Sequence, residues 1–209
     1  MDIPLFLLNT VLFPGGALPL RIFETRYMDM ARGCLRTGTP FGVCLIARGQ
    51  EVGEAAEPET VGCLATIDLW DMPQLGLLHV RARGGARFRV QATTRQPDGL
   101  LRGEVELIED DDDCPIGEQH QPCAELLQRI IDDLEMKVGA RDEDAGSGIL
   151  DGMPFLEPYR LESSTWVGNR LCEVLPIPLK ARQKLMELDD ARTRLDIVSQ
   201  YLRQHAVIK

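Results

Sequence analysis

Paired glycines follow the first apolar run of the sequence and could form a phosphate-binding turn. Residues 9–20 read NTVLFPGGALPL, and glycine backbone before a helix can cradle a phosphate. A nucleotide-binding P-loop also needs a lysine and a hydroxyl at fixed spacing, but the first lysine of the chain is Lys137. Pro14 presets φ for the second position of a type II turn, and Gly15 tolerates the positive φ of the third. The pair therefore predicts a structural turn.

Residues that catalyse hydrolysis or bind metals are present but scattered. There is no Gly-x-Ser-x-Gly motif, and the three histidines (His79, His120 and His205) are far apart in the sequence. The six cysteines form no Cys-x-x-Cys pair; they are Cys34, Cys44, Cys63, Cys114, Cys123 and Cys172. We expect no catalytic residue, no metal site and no cofactor, and we expect the thiols to be free in a reducing cytoplasm.

Charge is distributed unevenly along the chain. The net charge of −10 argues against generic binding to nucleic acids or anionic membranes. The run of four aspartates at 110–113 lacks the spaced ligands of a calcium loop, so we interpret it as a solvated linker. Residues 77–102 carry six arginines and one acid, whereas residues 104–151 carry sixteen acids and three bases.

The basic segment 81–89, RARGGARFR, has two interpretations. Alternating residues on both sides of Gly84-Gly85 predict a β-hairpin with a two-residue turn. Its arginines could contact RNA phosphates, or they could pair with the acidic second half of the chain. The residues that would carry the RNA-binding alternative are Arg81, Arg83, Arg87 and Arg89.

The overall length suits one large domain or two small subdomains that share a core, because the chain has 209 residues. The opening MDIPLFLL lacks the basic region of a signal peptide, and every apolar run is shorter than the roughly 18 residues of a membrane span. We therefore expect a cytoplasmic protein that does not enter membranes.

The first half reads as β-rich. Strands are predicted over residues 3–8, 40–47, 61–70, 77–83, 86–93 and 100–108, with one helix over 24–36 whose apolar residues repeat at helical spacing. About six short strands in an open sheet would leave unpaired backbone groups at its two edges, which favours a curled or closed sheet. The alternation of strand and helix needed for a doubly wound fold is missing.

The second half reads as helical. An apolar stripe predicts a helix over 118–138, and three further helices are predicted: from Ser163 or Ser164 to Val174, from Pro178 to about Leu188, and after a cap at Asp189 or Asp190. Residues 140–152 are rich in Gly and Asp, so we expect a mobile loop there. These patterns predict an α+β chain with a β-rich subdomain at 1–113 and a helical subdomain of four helices at 114–209.

Two apolar segments are candidates for partner contact. Residues 69–78, LWDMPQLGLL, would place Trp70, Met72 and Leu75 around a proline turn, and residues 153–159, MPFLEPY, contain Met153, Phe155, Leu156 and Tyr159. Methionine and aromatic side chains in loops suit adaptable contact with unfolded chains, although either segment could instead fill the seam between the two halves. If residues 153–159 bind a partner, replacing Phe155 and Leu156 by Ser should weaken binding without unfolding the domain.

The opening of the chain resembles a known family. Residues 4–27 contain Leu12-Phe13-Pro14-Gly15, then Pro19-Leu20, then Glu24 and Arg26-Tyr27, in the order found in the N-terminal (substrate-binding) domain of Lon proteases, particularly its free-standing bacterial members. VGCLATI at 61–67, RGGARFRV at 83–90 and the closing segment 175–202 are similar to later family motifs. The resemblance covers essentially the whole chain, and its opening motif is the most specific part.

The resemblance implies a PUA-like β-barrel of about six strands with one helix, followed by a C-terminal subdomain like a four-helix bundle. It also implies a non-catalytic, ATP-independent module that recognises unfolded or damaged polypeptides, as an adaptor in protein quality control, with a Lon-type ATPase-protease as a partner in trans. Proteolysis is not implied, because these 209 residues contain neither a Walker motif nor a protease module. PUA-like barrels in other proteins bind RNA, which keeps the RNA-binding alternative open.

Overall fold

The chain divides into two compact units, Met1–Glu109 and Asp110–Lys209. The computed structural model describes residues 1–50, 56–142 and 148–208, without the side chains of 140–142. The first unit contains β1 (Asp2–Leu8), β2 (Ala17–Ile22), α1 (Thr25–Thr37), β3 (Phe41–Arg48), β4 (Glu57–Pro58), β5 (Val61–Gln74), β6 (Leu77–Arg95) and β7 (Leu101–Leu107). The predicted division into subdomains after residue 113 stays a prediction.

The strands of the first unit close into a barrel. The hydrogen-bonded path runs β1-β7-β6-β5-β3, and β3 returns to β1 through parallel pairing of Leu5 with Gly42 and its neighbours. The other pairings are antiparallel. Closure removes the free edges of these five strands. The short strand β4 extends the path from β3, and β2 pairs with β6 off the path. The predicted α+β fold with a curled sheet is confirmed, with seven strands rather than about six.

Helix α1 covers part of the barrel with an apolar face. Tyr27, Met28 and Ala31 are buried at helical spacing and join the strand residues of one core cluster. The rings of Phe6 and Tyr27 stack with their centroids 3.9 Å apart. A second cluster surrounds Phe88, which is fully buried as its place in the alternation of β6 predicts.

The Pro14-Gly15-Gly16 segment is a turn, as predicted. Gly15 has a φ of +73°, and the N–H of Gly16 donates to the carbonyl of Phe13 at 3.0 Å. The turn is held against β6, because the N–H of Gly84 donates to Gly16 at 2.8 Å and the N–H of Gly15 donates to Gly84 at 2.9 Å. The glycine pair therefore fixes the start of β2 in register with β6.

The predicted hairpin at Gly84-Gly85 is wrong. Both glycines lie inside the continuous strand β6, where the register with β5 shifts between Cys63 and Ala65. Glycine is required at 84 for close backbone approach, since a Cβ there would lie 2.2 Å from the carbonyl oxygen of Phe13. A hairpin signal and a glycine bulge look alike in sequence, because both interrupt an alternating pattern.

The true hairpin turn precedes β6 and connects it to β5. Gln74 pairs with Leu77, so the loop between β5 and β6 consists of Leu75 and Gly76, and Gly76 supplies the positive φ of +85°. Pro73 lies within β5. The predicted proline turn in this segment is therefore wrong.

The second unit is helical. A 3₁₀ turn at Glu118–His120 leads into α2 (Gln121–Asp142), followed by α3 (Ser164–Val174), α4 (Leu179–Glu187) and α5 (Ala191–Gln204). Ser163 accepts a hydrogen bond from the N–H of Trp166 and Asp190 from that of Thr193, so both predicted caps are confirmed. The fully buried core comprises Cys123, Leu127, Ile131, Val167, Leu171, Cys172, Leu195, Val198 and Leu202.

Two predictions about charged or polar loops need revision. Helix α2 continues to Asp142, beyond the predicted start of the loop at residue 140, and residues 143–147 of that loop lie outside the described residues. The aspartate run is not a solvated linker throughout. The side chain of Asp111 is 5% exposed and pairs with the buried guanidinium of Arg194, and Asp113 accepts a hydrogen bond from the hydroxyl of Ser163 at 2.7 Å.

The neighbouring glycines of β6 provide a matched test of the close approach. We expect Gly84→Ala to lower the free energy of unfolding by about 1–3 kcal/mol, because its Cβ would overlap backbone rather than a side chain that can rotate. The control is Gly85→Ala, whose Cβ would have its nearest neighbour at 3.5 Å. Urea unfolding of both variants measures the difference, and equal stabilities would contradict this role of Gly84.

Asp113 gives the second unit a pH-dependent contribution to stability. Burial raises the pKa of its carboxyl group, but hydrogen bonds from Ser163 and Thr165 and the charge of Arg160 outweigh that effect, so the pKa lies below its ordinary 3.8. A lowered pKa stabilises the folded state above pH 3.8, and this contribution disappears as the pH falls through the folded value.

Melting temperatures at a series of pH values test this contribution. We expect Asp113→Asn to melt below the parent protein at neutral pH and the gap to shrink on acidification. Asp112→Asn, at an exposed neighbouring position, is the control and should follow the parent at every pH. A gap that stays constant down to acid-induced unfolding would show that the charge of Asp113 is not responsible.

Candidate functional site

The hairpin of β5 and β6 carries several exposed apolar side chains near its turn. Leu75 is 96% exposed in the turn, Trp70 is 56% exposed and Leu69 is 48% exposed. We call Leu69, Trp70, Met72 and Leu75 the ribbon tip. Large apolar side chains that are exposed together are typical of surfaces that contact a partner.

The register of the hairpin determines where these side chains stand. Trp70 lies opposite Val80 and Leu69 opposite Arg81, so the two residues belong to opposite faces of the ribbon. Met72 is half-buried and packs against the core cluster that includes Val80. The ribbon tip is therefore anchored on the barrel through Met72, while Leu69, Trp70 and Leu75 remain accessible. Sequence reasoning identified all of these except Leu69, whose exposure depends on the register shift between Ile67 and Leu69.

The second predicted segment, residues 153–159, is packed rather than exposed. Phe155 is 2% exposed, and its ring lies 6.4 Å from that of Trp166 on α3. The ring of Tyr159 lies 6.0 Å from Trp166, and its hydroxyl donates to Glu135 at 3.1 Å. Met153 and Leu156 are half-buried. The burial of Phe155 in the core of the second unit argues against the expectation that this side chain can be replaced without unfolding.

The four arginines of the RNA-binding alternative all lie on the single strand β6 and are not divided between two strands by a turn at Gly84-Gly85. Arg83 pairs with Asp68 at 3.0 Å. Arg87 is 2% exposed and donates to the carbonyl of Glu109 at 3.2 Å, so its guanidinium is buried and makes a hydrogen bond within the first unit. Arg81 is half-buried and Arg89 is exposed, and both belong to the same continuous strand. The structure therefore does not bring the four guanidinium groups together on one surface.

Sequence reasoning missed an exposed aromatic residue beside β2. Phe23 is 61% exposed directly after the strand, whereas Leu18, Leu20 and Ile22 are buried. The alternation of apolar residues in 18–22 contained the signal, since the residue after Ile22 falls on the solvent side. A cavity of about 220 Å³ lies beside Phe23 and is bordered by residues of β1 and β2 and by Tyr27. Burial raises the pKa of the Tyr27 hydroxyl.

The three histidines lie on or beside different elements of the chain. His79 lies in β6, His120 contacts Asp196 at 2.6 Å, and His205 contacts the carbonyl of Tyr201. Residues 1–50, 56–142 and 148–208 contain no group of three or more potential metal ligands. All six cysteines are free, and burial raises the pKa of Cys44 and Cys172 to about 12, so these two thiols are poor nucleophiles. Within the same residues, no helix combines the length and apolarity needed to span a bilayer.

The described residues form a β-barrel unit with an exposed apolar hairpin and a separate helical unit, which together are an α+β fold. The family model described as the ATP-dependent protease La (LON) substrate-binding domain matches residues 2–204. The chain belongs to this family, which confirms the resemblance of its opening motif.

Known proteins and structures give the same assignment. The chain is 26% identical to a Lon protease of Anaeromyxobacter dehalogenans over 211 residues and to Lon protease 2 of Myxococcus xanthus over 207 residues. In each case 96% of this chain is covered, but only 23% of the relative's length.

Among solved structures, a Lon N-terminal domain protein from Xanthomonas campestris is 34% identical, with a TM-score of 0.73 and coverage of 95% of this chain and 96% of that one. The N-terminal domain of a Mycobacterium avium complex Lon protease shares the fold, with a TM-score of 0.58 at 15% identity; 98% of this chain and 100% of that chain are covered.

The packed segment at 153–159 can be tested by matched truncations. We expect Phe155→Ala to destabilise the fold by about 3–5 kcal/mol, because it removes a fully buried ring. Leu156→Ala, one residue further at a half-buried position, should cost clearly less. Chemical unfolding measures both values, and a Phe155→Ala protein of parental stability would restore this segment as a surface candidate.

Proposed function

We propose that this protein is a non-catalytic polypeptide-binding or adaptor module that recognises unfolded or damaged chains in protein quality control. The observation that carries the proposal is the ribbon tip, where three large apolar side chains, Leu69, Trp70 and Leu75, are exposed on a β-hairpin. Membership of a substrate-binding domain family supports the same function.

The ribbon tip suits unfolded chains for a physical reason. Unfolded polypeptides expose apolar side chains that folded proteins bury, and contact with Trp70 and Leu75 removes apolar surface from water on both sides. Each side chain that becomes fully buried contributes about 1.5–3 kcal/mol, before the entropy cost of association is subtracted. Binding of this kind depends on area rather than on an exact sequence, which is what recognition of damaged proteins requires.

The absence of chemistry and the choice of partner form the second part of the proposal. We infer a role in binding alone, and the described residues contain no group of three or more potential metal ligands. The relatives are Lon proteases of which this chain matches 23%. A Lon-type ATPase-protease that receives the bound chain in trans would therefore complete the function. Six free thiols fit a reducing cytoplasm.

Binding of a permanently unfolded protein tests the proposal. Reduced, carboxymethylated α-lactalbumin carrying a fluorophore should bind the parent protein, and the double variant Trp70→Ser/Leu75→Ser should bind at least about tenfold more weakly, because two apolar contacts are lost. The control is Met136→Ser, which removes an apolar side chain that is 75% exposed on α2. Its affinity should match the parent.

Two results of this titration would count against the proposal. Equal affinity of the double variant and the parent would remove the ribbon tip from the function, provided that thermal unfolding shows both to be folded. The RNA-binding alternative would be favoured if the parent protein does not bind unfolded chains but binds RNA with an affinity that falls steeply as the salt concentration rises.

A further inference from the structure

One edge of β2 has no strand partner in the described parts of the chain. On its other edge β2 pairs with β6, and the N–H of Gly84 donates to the carbonyl of Gly16 at 2.8 Å. Because backbone groups alternate sides along an antiparallel strand, the residues in step with Gly16 face β6. The backbone groups of Ala17, Pro19 and Arg21 therefore face away from β6, and no described residue hydrogen-bonds to them.

Pro19 supports this assignment. Proline has no N–H and is tolerated within a sheet where the missing donor would not join the ladder, as on the outer side of an edge strand. The edge still presents the N–H and carbonyl groups of Ala17 and Arg21 and the carbonyl of Pro19. These groups match what an added strand needs for main-chain hydrogen bonds.

An apolar groove runs beside this edge. Most of the lining of this cavity of about 220 Å³ is apolar, from Phe6 and Leu8 of β1, Leu20 and Ile22 of β2, and Phe23 and Tyr27. Two charged residues also border it, Arg21 and Glu24, and Glu24 is already paired with Arg26 at 2.8 Å. Side chains of an extended strand point alternately to the two faces of a sheet. A strand added to β2 would therefore direct every second side chain towards the face that carries Leu20 and Ile22, which favours apolar residues at those positions.

On the opposite face of β2, an added strand would favour acidic residues. Arg21 is exposed, and no described carboxylate forms an ion pair with it. Across the ladder Arg21 lies opposite His79, and Pro19 lies opposite Arg81. A carboxylate on an added strand, directly across from Arg21, would form the type of cross-strand pair that stabilises sheets.

We propose that the free edge of β2 binds an extended polypeptide segment by β-strand addition, and that the preferred segment alternates apolar and acidic residues. The inference deepens the proposed polypeptide binding and rests on it: the ribbon tip contacts exposed apolar side chains, whereas the edge of β2 selects the backbone conformation and charge pattern. Main-chain hydrogen bonds supply affinity in this mode, and the alternating side chains supply specificity.

Amide hydrogen exchange tests the hydrogen bonds directly. The probe is a short acetylated peptide of alternating valine and glutamate, titrated into the full chain and followed by NMR. We expect exchange at the Ala17 and Arg21 amides to slow by about tenfold or more when the peptide binds, because bonded amides are protected. Exchange at Leu18 and Leu20, which already face β6, should change little. Absence of peptide binding, or binding that leaves Ala17 and Arg21 unprotected, would overturn the inference.

Two variants of Arg21 separate the contribution of backbone hydrogen bonds to peptide affinity from the contribution of the side-chain charge. Arg21→Pro removes an outward N–H without removing a bond to β6, and we expect about tenfold weaker binding of the valine–glutamate peptide and of its glutamine counterpart. Arg21→Ala keeps the backbone and removes the charge, so it should weaken only the glutamate peptide. If Arg21→Pro fails to fold, amide exchange at Ala17 and Arg21 tests the backbone hydrogen bonds, and Arg21→Ala tests the charge. Parental affinity of a folded Arg21→Pro protein would contradict strand addition.

The same variants distinguish this inference from the proposed function. Carboxymethylated α-lactalbumin that binds Arg21→Pro as well as the parent, but loses affinity for the ribbon-tip variant, would overturn the role of the β2 edge and leave polypeptide binding intact. A parent protein that binds no unfolded chain would overturn the proposed function itself, together with the inference that rests on it.

Discussion

The first unit depends on the close approach of two backbone segments at Gly84. Its N–H donates to Gly16 and its carbonyl accepts from Gly15, at distances that leave no space for a Cβ. This contact fixes β2 in register with β6 and so determines which backbone groups of β2 are paired and which face outward. A register shift lies beside it, between Cys63 and Ala65 of β5, and β6 continues through it as one strand to the hairpin turn at Leu75 and Gly76. The free edge of β2 therefore depends on this glycine contact.

A buried arginine has the corresponding role in the second unit. The guanidinium of Arg194 donates to the carbonyls of Leu185 and Leu188 and to the carboxylate of Asp111, and its side chain is 1% exposed. The two carbonyls lie at the end of α4, so one side chain on α5 satisfies a helix terminus and anchors the aspartate run. Breaking such a pair leaves a buried charge uncompensated. Part of what looked like a linker is consequently a structural element.

The sequence predicted most elements and failed where one local pattern has two tertiary outcomes. Caps at Ser163 and Asp190 are local interactions, and the structure confirms them. Gly84-Gly85 fits a hairpin as well as a bulge, and only the position of Phe13 decides between them. Phe155 looks like a loop aromatic in sequence because its partner, Trp166, follows a segment with no periodic pattern. Trp70 and Leu75 were singled out as large apolar residues in a short segment, and both are exposed, although the segment is a hairpin and not the predicted proline turn.

The sequence by itself determined the fold class and the lack of a recognisable catalytic motif, because these depend on periodicity, turn residues and spacing along the chain. Its opening motif indicated the family by resemblance, and the family model confirms it. The tertiary structure decided which apolar residues are accessible. It buried Phe155 and Arg87, left Phe23 and Leu69 exposed, and opened one edge of β2. Exposure and strand pairing depend on residues distant in sequence, whose contacts no local pattern specifies.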